Sequence, residues 1–168
     1  MEITQISALL EELCQKVGGD WLLTGGSLVQ LEFNGQRATE DIDVVLVRHS
    51  QVSDVIAQDR LFKAAIGLGL SPENVNSAAR FFVQQIQNWE NHLIEIKSGP
   101  VGRVFRPDLT LFVALKLKRG TEIDLEDIRD AVQFCHGKND RINETELKAM
   151  LNAEQFKKLE AHRSRLGL

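Results

Sequence analysis

Apolar residues recur at helical spacing from the start of the chain. Ile3, Ile6, Leu10, Leu13 and Val17 form a stripe that Leu9 and Cys14 widen, so Glu2–Val17 is predicted to be an amphipathic helix ended by Gly18-Gly19. The pattern then changes period. Trp21-Leu22-Leu23 reads as a short buried strand, Gly25-Gly26 as a sharp turn, and Ser27 as the cap of a helix running to about Phe33. Asn34-Gly35 closes that helix, and Asp41-Ile42-Asp43 leads into a second buried strand, Val44-Val45-Leu46-Val47. Val52–Leu68 is helical in pattern. Ser71-Pro72 then starts a helix from Glu73 to about Trp89, with Val75, Ala79, Phe82 and Ile86 inward. Strands follow at His92–Ile96 and Val101–Phe105, joined as a hairpin through Ser98-Gly99-Pro100. Pro107 is predicted to open a helix from Asp108 to about Arg119. Leu125, Ile128, Val132 and Cys135 mark another, and the chain closes with a capping-box pattern at Asn143–Glu146 and a last helix through Phe156 and Leu159. The order predicts an α/β fold: a mixed sheet flanked by helices over residues 1–136, with a helical C-terminal extension over 137–168.

Composition narrows the class. A chain of 168 residues, 43% apolar, suffices for one domain with a core of its own. The net charge of −4 argues against a general nucleic-acid coat protein. Cys14 and Cys135 lie on predicted apolar helix faces without metal-type spacing, which suits buried thiols in a reducing compartment. With no signal peptide and no long apolar segment, the expectation is a soluble cytoplasmic protein that does not enter the membrane. Phe81-Phe82 and Trp89 are expected to serve packing rather than to stack on a base. His49 is expected to be a solvated loop residue, and His162, Arg163 and Arg165 a solvated tail.

The candidate chemistry lies between Leu22 and Val47. In a strand, residues two apart share a face, so Asp41 and Asp43 project together while Ile42 points away. Two adjacent carboxylates repel and raise each other's pKa. A divalent cation relieves that repulsion, and Mg²⁺ is commonly held by one or two carboxylates plus substrate phosphates. A helix N-terminus at Gly25, Gly26 and Ser27 offers N–H groups to phosphates. One ligand satisfies both halves: a magnesium nucleoside triphosphate.

Gly-Gly-Ser, then thirteen residues, then Asp-Ile-Asp and an apolar strand resembles the signature of the nucleotidyltransferase superfamily with the DNA polymerase β-like fold. The lead-in from Arg37 through Thr39 to Asp43 resembles the R-x-T-x-D-I-D form of small prokaryotic members, including the nucleotidyltransferase-like toxins of abortive-infection systems. The stretch Leu111–Ile128 resembles their second signature, an L-x-x-K-L helix followed by D-x-x-D-I, with Lys116, Asp124 and Asp127 at the family positions and Ile123 where a basic residue is common. The resemblance implies a Mg²⁺-dependent transfer of a nucleoside monophosphate from a nucleoside triphosphate to an acceptor hydroxyl. Asp41 and Asp43 would hold the metal, with Glu95, on a strand expected beside the Asp41/Asp43 strand, as third carboxylate. Gly25, Gly26, Ser27, Arg37, Thr39 and Lys116 would meet the nucleotide.

A lysine in an apolar helix is costly to bury unpaired, so Lys116 is expected to reach a carboxylate or the phosphates. Asp124 is expected to orient Lys116 or to cap the next helix, and Asp127 to lie on a helix face away from the site. The acceptor implied is a tRNA end, a protein or a small molecule, and the implied partner is a cognate toxin or antitoxin. The competing class is a catalytically degenerate nucleotidyltransferase-like protein that acts through a partner.

Overall fold

Trp21, Leu22 and Leu23 are all fully buried, so the strand they form has no solvent face and needs apolar cover on both sides. In the computed structural model, which describes residues 1–35, 38–49, 51–138 and 140–168, that strand is β1 (Gly19–Thr24). It occupies the centre of a five-stranded sheet. On one side β1 pairs antiparallel with β2 (Ile42–Arg48), which pairs in parallel with the two-residue β3 (Val75–Asn76). On the other side β1 pairs in parallel with β5 (Gly102–Pro107), which pairs antiparallel with the edge strand β4 (Leu93–Ser98). The mixed sheet and the β4–β5 hairpin are those expected from the sequence.

Alternation along β1 and β2 splits the core in two. Trp21, Leu23, Ile42, Val44 and Leu46 join the large apolar cluster on one face. That cluster also takes α1 (Ile3–Glu12), the π-helical turn Leu13–Val17 and α2 (Gly25–Glu32). Leu22 and Val45 point to the other face, where, among the described residues, Val83 alone joins them as a fully packed neighbour. Asp43, two residues before Val45, lies on this thinly covered face.

The helix α5 (Leu109–Leu117) is apolar nearly all round and is buried, Lys116 included. It is followed by α6 (Glu122–Cys135), α7 (Glu144–Met150) and α8 (Ala153–Leu166). Leu147, Leu159 and Leu166 enter the same cluster as Leu111 and Ile128, so the C-terminal helices share the core of the sheet domain. The polar residues of α8 are tied down: Arg163 donates both Nη groups to Glu144, and Arg165 pairs with Glu122. Cys14 and Cys135 are buried free thiols. Among the described residues, no helix is long and apolar enough to cross a membrane.

The largest departure from the predicted elements lies between residues 71 and 92. Instead of one helix, Pro72–Asn74 forms a 3₁₀ turn and β3 follows. Then come the short helix α4 (Ala79–Val83) and a second 3₁₀ turn at Trp89–His92. Pairing of Val75 and Asn76 with Ile42 and Asp43 overrides the helical spacing. In α3 (Asp54–Gly67), the buried face is Ala57, Leu61 and Ala65, while Val55, Ile56 and Ile66 stay exposed. Pro107 ends β5 instead of opening α5, whose N-cap is Asp108. His49 is half-buried and hydrogen-bonded instead of free in solvent: its Nδ1 accepts from the backbone N–H groups of Gln51 and Val52, which leaves Nε2 facing the Val17 carbonyl.

Candidate active site

The β1–α2–β2 unit builds one wall of a cavity of about 260 Å³. The chain leaves β1 at Thr24 and turns at once into α2 through Gly25, whose φ of +67° lies in the left-handed region. Glycine is required there twice over, since a Cβ at this position would collide with the Asp43 carboxylate. Ser27 is not the helix cap expected from the sequence. Thr24 occupies the N-cap position, and Ser27, fully buried, braces the unit from inside: its Oγ donates to the Thr24 carbonyl and accepts the Asp43 backbone N–H. Gly26 supplies a backbone N–H to the Asp43 carboxylate. The helix N-terminus and the strand acid thus face each other directly.

Burial pushes the Asp43 carboxyl up to about 6; the Lys116 charge opposes the rise, the Asp41 charge adds to it, and Arg119 and the Gly26 N–H also hold it down. Asp41, immediately before β2, is half-buried and does not line the cavity, although its charge reaches Asp43. Thr39 is buried; its Oγ1 donates to the Asp41 carbonyl, so it fixes the approach to β2 instead of lining the cavity. Arg37 lies outside the described residues.

The opposite wall comes from the end of α5 and the start of α6. Lys116 is 6% exposed and reaches two acids: its Nζ donates to Asp127 Oδ2 at 2.5 Å and stands 3.6 Å from Asp124 Oδ1. Arg119 donates to Asp124 Oδ1 at 2.8 Å. Asp124 also closes a capping box, accepting the backbone N–H and the hydroxyl of Thr121 on Oδ2. Asp124 thus stands within ion-pair distance of Lys116 and also takes part in the cap of α6, whose N-cap residue is Thr121. Burial works against its charge, but the Arg119 and Thr121 hydrogen bonds and the nearby Lys116 outweigh it and hold the carboxyl below the usual range. Lys116, Arg119, Asp124 and Asp43 all line the cavity.

The sequence reading placed one residue behind this wall elsewhere and gave another no part in the site. Asp127, expected on a helix face away from the site, is 1% exposed and is the nearer partner of Lys116. Its signal was present: Asp124 and Asp127 are one turn apart on the same face of α6, and a buried lysine needs a partner. Arg119 stands three residues after Lys116, so it projects on the same side of the helix end.

Glu95 is the main correction. It lies on the edge strand β4, and both β1 and β5 separate it from β2. At the usual strand spacing that is about 14 Å. The Glu95 side chain is exposed and faces Arg103 at 3.8 Å. The strand beside β1 is β5, and its register with β1 carries Pro107 to the level of Thr24 and Asp43. No acid stands there to join the pair. Among the described residues, no group of three or more His, Cys, Asp and Glu is placed to hold a metal ion.

Asp41 and Asp43 nonetheless suit a hard divalent cation. Asp43 on β2 and Asp41 just before it are two oxygen donors close enough for the Asp41 charge to reach Asp43, and Asp43 has no hydrogen bond from a side chain among the described residues. Mg²⁺ in phosphate-transfer sites characteristically takes one or two carboxylates and fills its remaining positions with water and phosphate oxygens.

Asn76 and Lys118 add polar lining, and the rest is apolar: Ala78, Ala79 and Phe82 from α4 and its approach, with Phe112 and Leu115 from α5. The packing role expected of Trp89 holds, since it packs against both apolar clusters, but Phe81 and Phe82 belong to neither.

One family model, described as a nucleotidyltransferase of unknown function (DUF6036), matches residues 2–164. No curated protein and no solved structure matches the chain.

Proposed function

The chain belongs to this family of nucleotidyltransferases, and from that premise we propose that it transfers a nucleoside monophosphate from a Mg²⁺-bound nucleoside triphosphate to an acceptor hydroxyl. The observation that carries the reading is the convergence on one cavity of Asp43, the first turn of α2, Lys116 and Arg119. The triphosphate would lie between the α2 N-terminus and the two cations. In the transfer, the acceptor oxygen bonds to the α-phosphorus, the bond from that phosphorus to the bridging oxygen of the β-phosphate breaks, pyrophosphate leaves, and the acceptor proton passes to solvent. Bound at Asp41 and Asp43, Mg²⁺ would supply positive charge to the phosphate oxygens. Lys116, held in place by Asp127 and Asp124, meets the charge of the phosphates, and Arg119 adds a second, more exposed cation. Such transfer depends mainly on positioning and electrostatics, which this wall provides.

A second reading is favoured by one specific observation: the two carboxylates have no third acidic partner among the described residues. On that reading the protein binds a nucleotide or a cognate toxin or antitoxin without turning over. One experiment separates the two. Nucleoside triphosphates labelled at the α-phosphate are incubated with the protein, Mg²⁺ and pools of RNA, protein or small hydroxyl compounds. Label on one pool with stoichiometric pyrophosphate release, both lost in Asp43→Asn, is the expected result. Mg²⁺-dependent nucleotide binding without transfer to any pool would establish the second reading instead.

A further inference from the structure

Phe82 is a costly residue to leave where it stands. It is 41% exposed, and its neighbour Phe81 is 67% exposed. Val83 anchors the five-residue helix against Leu22 and Val45, and Phe82, the preceding position, lies about 100° round the helix and outside that cluster. There it lines the same cavity as Asp43 and Lys116. The ring is also held. Phe81 meets it at 78° with centroids 5.5 Å apart, and Arg80 fastens α4 to α3 through Asp54 at 2.6 Å. The cavity lining is therefore of two chemical kinds: charged residues, among them Asp43, Lys116, Lys118 and Arg119, and apolar ones, among them Phe82 with Ala78 and Ala79.

We propose that Phe82 is the stacking platform for the base of the donor nucleotide, a specificity-determining residue of the cavity. The proposal rests on the nucleotidyl-transfer reading above, which places the triphosphate at the charged residues. A planar base then meets the apolar lining, where an aromatic face is the partner it requires. Stacking of this kind tolerates any base, because every base has a π face. Phe82 therefore separates nucleotides from plain polyphosphates, not one base from another.

The test is calorimetric binding of two probes, the Mg²⁺ complexes of nucleoside triphosphates and of inorganic tripolyphosphate, to wild type, Phe82→Ala and Phe82→Trp. Phe82 belongs to neither apolar cluster, so both variants should fold. Expected is a loss of about tenfold or more in triphosphate affinity for Phe82→Ala, unchanged tripolyphosphate affinity, and recovery of nucleotide affinity in Phe82→Trp. Equal triphosphate affinity in wild type and Phe82→Ala would overturn the proposal and leave the transfer reading standing. A parallel loss for tripolyphosphate would overturn it too, since Phe82 would then act on the phosphate end. Binding of neither probe by wild type would overturn the transfer reading and the proposal with it.

Discussion

Asp20 and Asp43 stand at opposite ends of the β1–β2 pairing: Asp20 is opposite Arg48, and Asp43 is opposite Thr24. Burial acts on both in the same direction, yet their outcomes differ. Arg48 at 2.6 Å and Arg103 at 2.9 and 2.8 Å close on Asp20. Those bonds outweigh burial and hold its carboxyl below the usual range. No such clasp closes on Asp43. Its neighbouring cations are engaged with Asp124 and Asp127, and burial pushes its carboxyl up to about 6. A carboxylate compensated by the fold contributes to holding strands together. One left under-compensated beside a cavity costs stability, and a cation-bearing ligand would repay that cost. The contrast is a physical sign of function that does not depend on any motif.

The sharpest way to break the comparison is to neutralise each acid in turn. Asp43→Asn is expected to lower nucleotidyl transfer by about a hundredfold or more. Asp20→Asn is expected to leave the transfer rate unchanged. A steady-state assay of both variants under the same conditions checks this.

Next in size is Lys116→Met. It breaks a buried ion pair, since Lys116 donates to Asp127 and stands 3.6 Å from Asp124, so a loss of about 3 kcal/mol in urea unfolding is expected in addition to lost transfer. A Lys116→Met variant as stable as wild type would show that Lys116 is not the partner that neutralises Asp127.

The two aspartates should also differ in how stability depends on pH. The folded-state pKa of Asp43 lies above its unfolded value. Its favourable contribution is therefore full below about pH 4 and is lost as pH rises through about 6. Asp43→Asn removes that loss, so the variant is expected to be more stable than wild type by about 1–2 kcal/mol at pH 8. The gain should vanish near pH 4. Asp20 has the opposite sign. Its depressed pKa contributes stability above the unfolded value, and that contribution is lost as pH falls through the folded value. Asp20→Asn should cost about 1 kcal/mol at pH 7, and less on acidification. Denaturant titrations at pH 4, 6 and 8 measure both trends.

The smallest effect is expected at Glu95. Its side chain is on the exposed sheet edge and makes only a long ion pair with Arg103. Glu95→Gln should change stability by less than about 0.5 kcal/mol and leave nucleotide affinity unaltered by isothermal calorimetry. A marked loss of Mg²⁺-dependent affinity would restore Glu95 to the metal site.

The parts of the site that were legible in the sequence are local. Gly25 and Asp43 lie within one strand–turn–helix–strand unit, so pattern alone locates them. The capping role of Asp124 is likewise written three residues away, in Thr121. What escaped is set by contacts distant in sequence. Glu95 was misplaced because nothing local says that β2 pairs with β1 and β3 while β4 pairs with β5 at the sheet edge. The helix expected over residues 73–89 failed because β2 captures Val75 and Asn76 in β3. That capture turns Phe82 toward the cavity instead of the core. Asp127 was set aside because an acid on a helix face is ordinarily solvated, and only the packing of α5 against α6 buries it with Lys116.

The most direct test of the claim that Asp43 is kept uncompensated for a magnesium nucleotide is thermal unfolding of wild type and Asp43→Asn with each nucleoside triphosphate, with and without Mg²⁺. A ligand that binds only the folded state raises stability by mass action, about 2.7 kcal/mol at a hundred times its Kd. For a chain of this size that corresponds to an upward shift of roughly 5–10 °C. Such a shift in wild type with at least one triphosphate, dependent on Mg²⁺ and absent in Asp43→Asn, is the predicted result. An equal shift in Asp43→Asn, or one indifferent to Mg²⁺, would contradict it.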